Sequence, residues 1–279
     1  MASKLKINDF GLFCTTISDI TKVSEMARID FTKHGFTCSV TLAKRERVGR
    51  VDFSSTSVQL EDDDERDTIS IATKTLGMFS QLLKKIEKAH AVKSSRVTPD
   101  YSDVIIAISD TSIGIKSSTI KTKLNLCEAC VVNTPEPFKH KCTPVAEINV
   151  QVSDLKDTLS NTFMFHNQES LCVEICHQND MVKNNAYSVL SDPTDPRTNA
   201  IATKFGNITS GDLTRKFFVD IPRIQLLAMF DVPKFTVVLN QEPCAITEFS
   251  VSGDNSFSTQ YRVIFKYLAA PVIPQQVSA

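Results

Sequence analysis

The chain contains no tryptophan and only 8 glycines in 279 residues. So little glycine leaves no room for a phosphate-cradling loop, and neither a Walker-type nor a dinucleotide-binding glycine pattern is present. G-x-S-x-G and H-E-x-x-H are also missing, so the sequence carries no signature of a hydrolase or a zinc protease and reads as a non-enzyme with no catalytic residues and no cofactor. No apolar run approaches the roughly 20 residues that a membrane-spanning helix needs. The N-terminal MASKLKIND lacks the apolar core of a signal peptide, and no membrane partner is expected. Eight cysteines without a secretory segment are expected to be reduced thiols in an intracellular compartment. A surplus of charge is lacking too: 31 basic residues face 32 acidic ones, for a formal net charge of -1. Any attraction to a polyanion must therefore come from a local patch.

The stretch Thr68–His90, TISIATKTLGMFSQLLKKIEKAH, is where such a patch can be read. Ile69 and Ile71 alternate with Ser70 and Ala72, a strand period; from Leu76 onward Leu76, Phe79, Leu82, Leu83 and Ile86 recur at helical spacing and define one apolar face. On the opposite side Gln81, Lys84, Lys85 and Lys88 stand at i, i+3, i+4 and i+7, interrupted by one acid, Glu87. A lysine stripe of this kind is either a solvated helix face or a surface aimed at a polyanion.

Around it the first half reads as strands and two helices. Leu5–Ile7 is a short strand, Asn8 or Asp9 caps a helix carrying Phe10, Phe13, Ile17 and Ile20, and strands follow at Met26–Phe31 and Phe36–Leu42. Lys44–Arg50 is expected to be a basic loop, Val51–Ser57 a strand, and Glu61–Glu65 a solvated acidic loop. After the lysine-bearing helix come strands at Val104–Ser109, Ser112–Lys116 and Ile120–Leu126. The run CEACVVNTPEPFKHKCTPVA then has three prolines and no sustained period, as a connector would. The second half echoes the first: Lys6-Ile7-Asn8-Asp9-Phe10 matches Gln151-Val152-Ser153-Asp154-Leu155, Arg28-Ile29-Asp30-Phe31 matches Cys172-Val173-Glu174-Ile175, and Gln81-Leu82-Leu83 matches Gln225-Leu226-Leu227. Three matches in order, at offsets of about 145, argue for a duplicated fold. The expected organisation is an N-terminal domain over 1–126, a connector over 127–145 and a C-terminal domain over 146–279. Each is α+β, with two helices covering one face of an antiparallel sheet.

The connector holds Cys127-x2-Cys130 followed by His140-x-Cys142, ligand types suited to zinc. The second pair is tighter than zinc sites ordinarily use, which leaves free thiols as the simpler reading. Cys14, Cys38, Cys172, Cys176 and Cys244 fit small core residues. Among the histidines, His34 and His90 are expected in or beside loops, and no spacing joins any two.

The chain end FSTQYRVIFKYL followed by Ala269-Ala270-Pro271-Val272-Ile273 resembles the C-terminus of the sliding clamps related to proliferating-cell nuclear antigen. Ala27-Arg28-Ile29-Asp30-Phe31 with Gly35, the unit around Leu82-Leu83-Lys84-Lys85-Ile86, the connector, and Arg215–Phe230 with Val232-Pro233 fit the same family in the same order. The resemblance implies a divergent member, viral or phage: a DNA polymerase processivity factor that closes as a homotrimeric ring around double-stranded DNA without reading its sequence. It would act wherever DNA is replicated, in the nucleus, host cytoplasm or a viral compartment, with a clamp loader where one is needed. Lys84, Lys85 and Lys88, together with Lys22, Lys156 and Arg223, would face the DNA. The strand Ile120–Leu126 would pair with 199–205 of the next subunit. Polymerase and other replication proteins would insert short peptide motifs into an apolar pocket formed by Val131, Val132, Val232, Pro233, Tyr267, Leu268 and Pro271 and rimmed by Lys44–Arg50. One departure stands out: Asp9, Asp19 and Glu25 against Lys22, and Asp154 and Asp157 against Lys156, make the helices less basic than the family implies. The alternative is therefore a clamp-fold interaction or structural protein that does not encircle DNA.

Overall fold

A computed structural model describes residues 2–44, 47–61, 67–73, 76–93, 99–109, 111–126, 144–164, 172–177, 184–191, 200–211, 213, 217–230, 234–240, 246–252 and 259–267. The chain divides into two compact units, the first built mainly on Met1–Thr41 and Arg50–Pro137, the second mainly on Phe138–Val251.

In the first unit β1 (Ser3–Ile7) leads into α1 (Phe10–Val23), and β2 (Ala27–Thr32), β3 (Gly35–Lys44), β4 (Arg47–Ser55), β5 (Val58–Leu60) and β6 (Thr68–Thr73) follow. After α2 (Leu76–Lys93) come β7 (Ile105–Ser109), β8 (Ser112–Lys116) and β9 (Lys121–Asn125). Two antiparallel runs result, β4-β3-β2-β6 and β5-β1-β7-β8-β9. Asp9 caps α1, its carboxylate accepting from the Leu12 N–H at 2.9 Å, which satisfies one of the free donors of the first turn. Phe10, Phe13, Ile17 and Ile20 of α1 and Leu76, Phe79, Leu83 and Ile86 of α2 are buried, as are Ile29, Phe31 and Phe36 of the sheet, and Phe13 packs on Phe36. Leu82, expected on the buried face of α2, is only half-buried because it lies at the margin of the apolar stripe.

The basic stretch Lys44–Arg50 is not a loop. β3 runs through Lys44 and β4 resumes at Arg47, so most of it forms the arms of a hairpin. Extended backbone and ladder pairing outweigh the local charge density there. The three-residue β5 was not expected from the sequence, and β9 starts one residue later than Ile120. Gly35, in the β2–β3 turn, has φ +142, and a Cβ there would stand 2.3 Å from the Ser55 carbonyl oxygen, so the turn requires glycine. Of the acidic run only Glu61 lies among the described residues.

The second unit repeats the plan. It contains β10 (Pro144–Gln151), α3 (Val152–Asn161) with a 3-10 turn at Thr162–Met164, β11 (Cys172–Cys176), β12 (Asn185–Ser191), β13 (Ala200–Gly211), β14 (Phe217–Asp220), α4 (Ile221–Ala228), β15 (Lys234–Asn240), β16 (Ile246–Ser252) and β17 (Thr259–Tyr267). Its strands run β14-β11-β12-β13-β10-β15-β16-β17. The long β13 changes partner midway: 200–207 pair with β12 and 207–211 with β10. Gly206 sits at that change, where a Cβ would come within 2.4 Å of the Asn149 carbonyl oxygen. The fold is α+β, duplicated, with two helices on one sheet face of each unit.

Candidate nucleic-acid interface

Gln81, Lys84, Lys85 and Lys88 are all exposed on α2, opposite the buried Phe79, Leu83 and Ile86. The stripe therefore exists as a surface. Lys84 is held in place: its Nζ donates to Ser18 Oγ of α1 at 2.7 Å, fixing one ammonium over the groove between the helices. That tie was illegible in the sequence, since Ser18 and Lys84 are 66 residues apart. Glu87, the acid that interrupts the stripe, is half-buried; burial pushes its carboxyl up, Lys84 opposes this and Asp9 adds to it. A Cβ on Gly11 would stand 3.5 Å from Glu87 Oε1 and 3.6 Å from Asp9 Oδ1, so the two carboxylates flank the start of α1 together.

Of the acids counted with α1, Asp19 is turned inward, Asp9 is half-buried and Glu25 is exposed. Asp9 is the helix cap, and Asp19 is fully buried, its carboxylate taking the Lys22 ammonium at 2.6 Å. Pairing neutralises a charge that the sequence counted against DNA contact, but it also engages Lys22. Arg28 with Asp30 and Arg50 with Asp52 are likewise paired on the strands.

On the second unit the same surface is thinner. Lys156 and Asp157 are both exposed on α3, and Asp154 is half-buried with its carboxyl pushed up by burial, Lys204 opposing. Gln225 is exposed and Leu227 buried on α4, matching Gln81 and Leu83 of α2. Arg223 lies on α4. In α3 the helix starts at Val152, so Asp154 sits inside the first turn where its equivalent Asp9 is the cap; Gln151, the actual cap, makes no side-chain bond.

Val131, Val132, Val232, Pro233, Leu268 and Pro271, and the connector residues Cys127, Cys130, His140 and Cys142, lie outside the described residues. Tyr267 ends β17. Among the described residues no three metal-binding side chains converge. Cys14, Cys38 and Cys176 are buried and in no disulfide, and burial pushes the Cys14 and Cys38 thiols well above the ordinary range, as in packing residues. No helix among the described residues is long and apolar enough to cross a membrane.

His90 lies in the last turn of α2, beside the segment that carries Tyr101 and Asp103. It is buried, with Nδ1 2.9 Å from the Ile86 carbonyl oxygen and Nε2 2.7 Å from Asp103 Oδ1, and its ring lies tilted against Tyr101 with centroids 5.2 Å apart. Asp103 Oδ2 also accepts the Ser118 N–H at 2.7 Å, and these hydrogen bonds lower its carboxyl to about 2. One carboxylate thus clips the end of α2 to the β8–β9 turn.

No family model and no curated protein matches the sequence. Solved structures do match, over nearly all of it. The PCNA of Entamoeba histolytica superposes with a TM-score of 0.65 at 12% identity, covering 96% of this chain and 100% of that one. The chain has the fold of a PCNA-like sliding clamp. A. fulgidus PCNA, solved bound to the C-terminal region of FEN-1, gives 0.64 at 12% identity, with 97% and 100% covered. The PCNA of Thermococcus kodakaraensis gives 0.61 at 10%, with 94% and 99% covered. At identities of 10–12% it is the structural match, not the sequence, that establishes the clamp fold.

Proposed function

We propose that the chain is a sliding clamp, a non-enzymatic processivity factor that encircles duplex DNA and tethers a polymerase to it at sites of replication. The observation that carries this reading is the match to PCNA structures along both units, since a whole chain built on the clamp plan is spanned from end to end. The near absence of sequence identity fits a divergent viral or phage member. Domains at 1–126 and 146–279, joined by 127–145, fit the duplication.

Two free edges support a ring. Among the described residues β9 has β8 on one side and no strand on the other, and residues 200–206 of β13 have β12 on one side and no strand on the other. Unpaired edges gain hydrogen bonds by joining, and repetition of a β9-to-β13 join closes a homotrimer. Inside it Lys84, Lys85 and Lys88 would meet phosphates, with Lys22, Lys156 and Arg223 as weaker contributors; a sliding ring needs phosphate attraction and no base readout.

Retention on DNA tests this reading. The chain should stay on nicked circular duplex and leave once the circle is linearised, and replacing Lys84, Lys85 and Lys88 by Ala should lower retention and its salt dependence with the fold intact. Equal retention on circle and linear DNA would instead favour a clamp-fold protein that does not encircle DNA, for which the neutral net charge and mixed α3 surface speak.

Peptide motifs of the polymerase and of other replication proteins would dock at Val131, Val132, Val232, Pro233, Tyr267, Leu268 and Pro271. Aliphatics and prolines in connecting segments form the kind of apolar patch such motifs fill. A. fulgidus PCNA binds the C-terminal region of FEN-1, a precedent for a partner's tail. Polar replacement of Val131, Pro233 and Leu268 should abolish polymerase stimulation while DNA retention persists; stimulation that survives places the partner site elsewhere.

A further inference from the structure

The first unit carries exposed lysines on its sheet as well as on its helices. Along the five-stranded run, Leu5, Ile106, Ile108, Ile113, Ile115 and Leu124 are buried, and the alternate positions face outward. Those positions place five exposed lysines on one face: Lys4 and Lys6 on β1, Lys116 on β8, Lys121 and Lys123 on β9. The registers align them in two rows. One runs Lys4–Ala107–Gly114–Lys123; the next, continuing the β1–β7 register by one residue, runs Lys6–Ile105–Lys116–Lys121. Between β1 and β9 neither row holds an acidic residue; continuing the β1–β5 register by one residue sets Glu61 opposite Lys4 at the outer end of the first row, and among the described residues none of the five lysines is ion-paired. On the helices, by contrast, Lys22 is held by Asp19 and Lys84 by Ser18. Glu61, just past β5, stands at the rim, its backbone N–H bonded to the Lys4 carbonyl.

We propose that this outer sheet face is a second binding surface for double-stranded nucleic acid, held through its phosphates. β1 and β9 are three strand spacings apart, roughly 14 Å at about 4.8 Å per strand, a separation on the order of the grooves of duplex DNA. Between the lysines of the first row lie only Ala107 and Gly114, a low shelf that lets a backbone approach. The two rows hold no aromatic side chain, so bases have nothing to stack on, and a single strand would go without the stacking that usually holds it. Five lysines against one acid at the edge, with no aromatic side chain in the rows, suit duplex phosphate rails. In the sliding-clamp reading the helices would hold one duplex inside and this face another duplex segment outside, but the surface exists in each copy whether or not a ring closes.

The test uses the full chain, a labelled 20-base-pair duplex of arbitrary sequence and anisotropy at several salt concentrations. Lys4→Glu, Lys6→Glu and Lys116→Glu together leave β9 untouched and should weaken binding at least tenfold at low salt. They should also reduce the slope of log affinity against log salt by about 0.9 for each phosphate that is no longer neutralised. The neutral Lys→Gln triple should give a smaller loss in the same direction, which separates weakened attraction from a damaged fold. Affinity and slope equal to wild type in the Glu triple would overturn the proposal. Poly-glutamate that binds this face while the duplex does not would also overturn it, by making the partner an acidic protein. The reading of the helix face is tested separately by the change of Lys84, Lys85 and Lys88 to Ala, so either surface can fail without the other.

Discussion

The two units share a plan and differ in what fills it. In the first, Phe13 of α1 meets Phe36 of β3 edge-on at 5.6 Å and Phe79 of α2 at 6.1 Å. Carrying the repeat offsets across, Phe13 corresponds to Thr158 and Phe79 to Arg223. Phe36, which faces Phe31 across the ladder, corresponds to Ser188, which faces Ile175. There, where two rings touch in one unit, Thr158 Oγ1 and Ser188 Oγ share a 2.8 Å hydrogen bond in the other, both side chains buried. The Thr158 hydroxyl also bonds the Asp154 carbonyl at 3.0 Å, so the polar pair is satisfied. The lesson is that the clamp topology constrains which positions are buried, and leaves open whether an aromatic cluster or a hydrogen-bonded pair fills them. Sequence identity can then fall to 12% or below against clamps of known structure while the fold persists.

The contrast is broken most forcefully at Phe13. Phe13→Ala should destabilise the first unit by about 3–5 kcal/mol, the cost of emptying a fully buried aromatic site, whereas Thr158→Ala should cost about 1 kcal/mol, one hydrogen-bonding hydroxyl. Hydrogen exchange resolved by segment should show the first loss over α1, β3 and α2 alone. Equal losses at the two sites would mean the aromatic cluster adds nothing over the polar pair.

A smaller effect sharpens the comparison from the charge side. The first unit has a carboxylate clip, Asp103 joining His90 to the Ser118 N–H. Because the hydrogen bonds lower the Asp103 carboxyl to about 2 from its ordinary 3.8, its contribution is present above about pH 4 and is lost as pH falls toward 2. Asp103→Asn should abolish that acid-side loss of protection at the end of α2 and leave α3 unchanged. An α2 profile that stays the same in the variant would remove the clip from the account.

What was legible follows from periodicity. The amphipathic faces of α1 and α2, the Asp9 cap and the duplication could all be read because each rests on local spacing. The Lys44–Arg50 hairpin arms could not, since a short stretch dominated by basic side chains reads as loop until the partner strand is known. The ties of His90 could not be read because its partners, Asp103 and Tyr101, lie beyond a segment with no period. The outer lysines escaped notice for a related reason: Lys4, Lys6, Lys116, Lys121 and Lys123 are single alternating positions on three strands, and only the ladder registers gather them.

The claim that the chain is a ring-forming clamp is tested most directly by its mass in solution, measured by light scattering across a concentration series. The account predicts three times the 31.0 kDa of one chain, falling to a single chain when proline replaces Lys121 or Lys123, whichever amide of β9 points outward. A single-chain mass at every concentration, or a trimer that survives both proline substitutions, would contradict it.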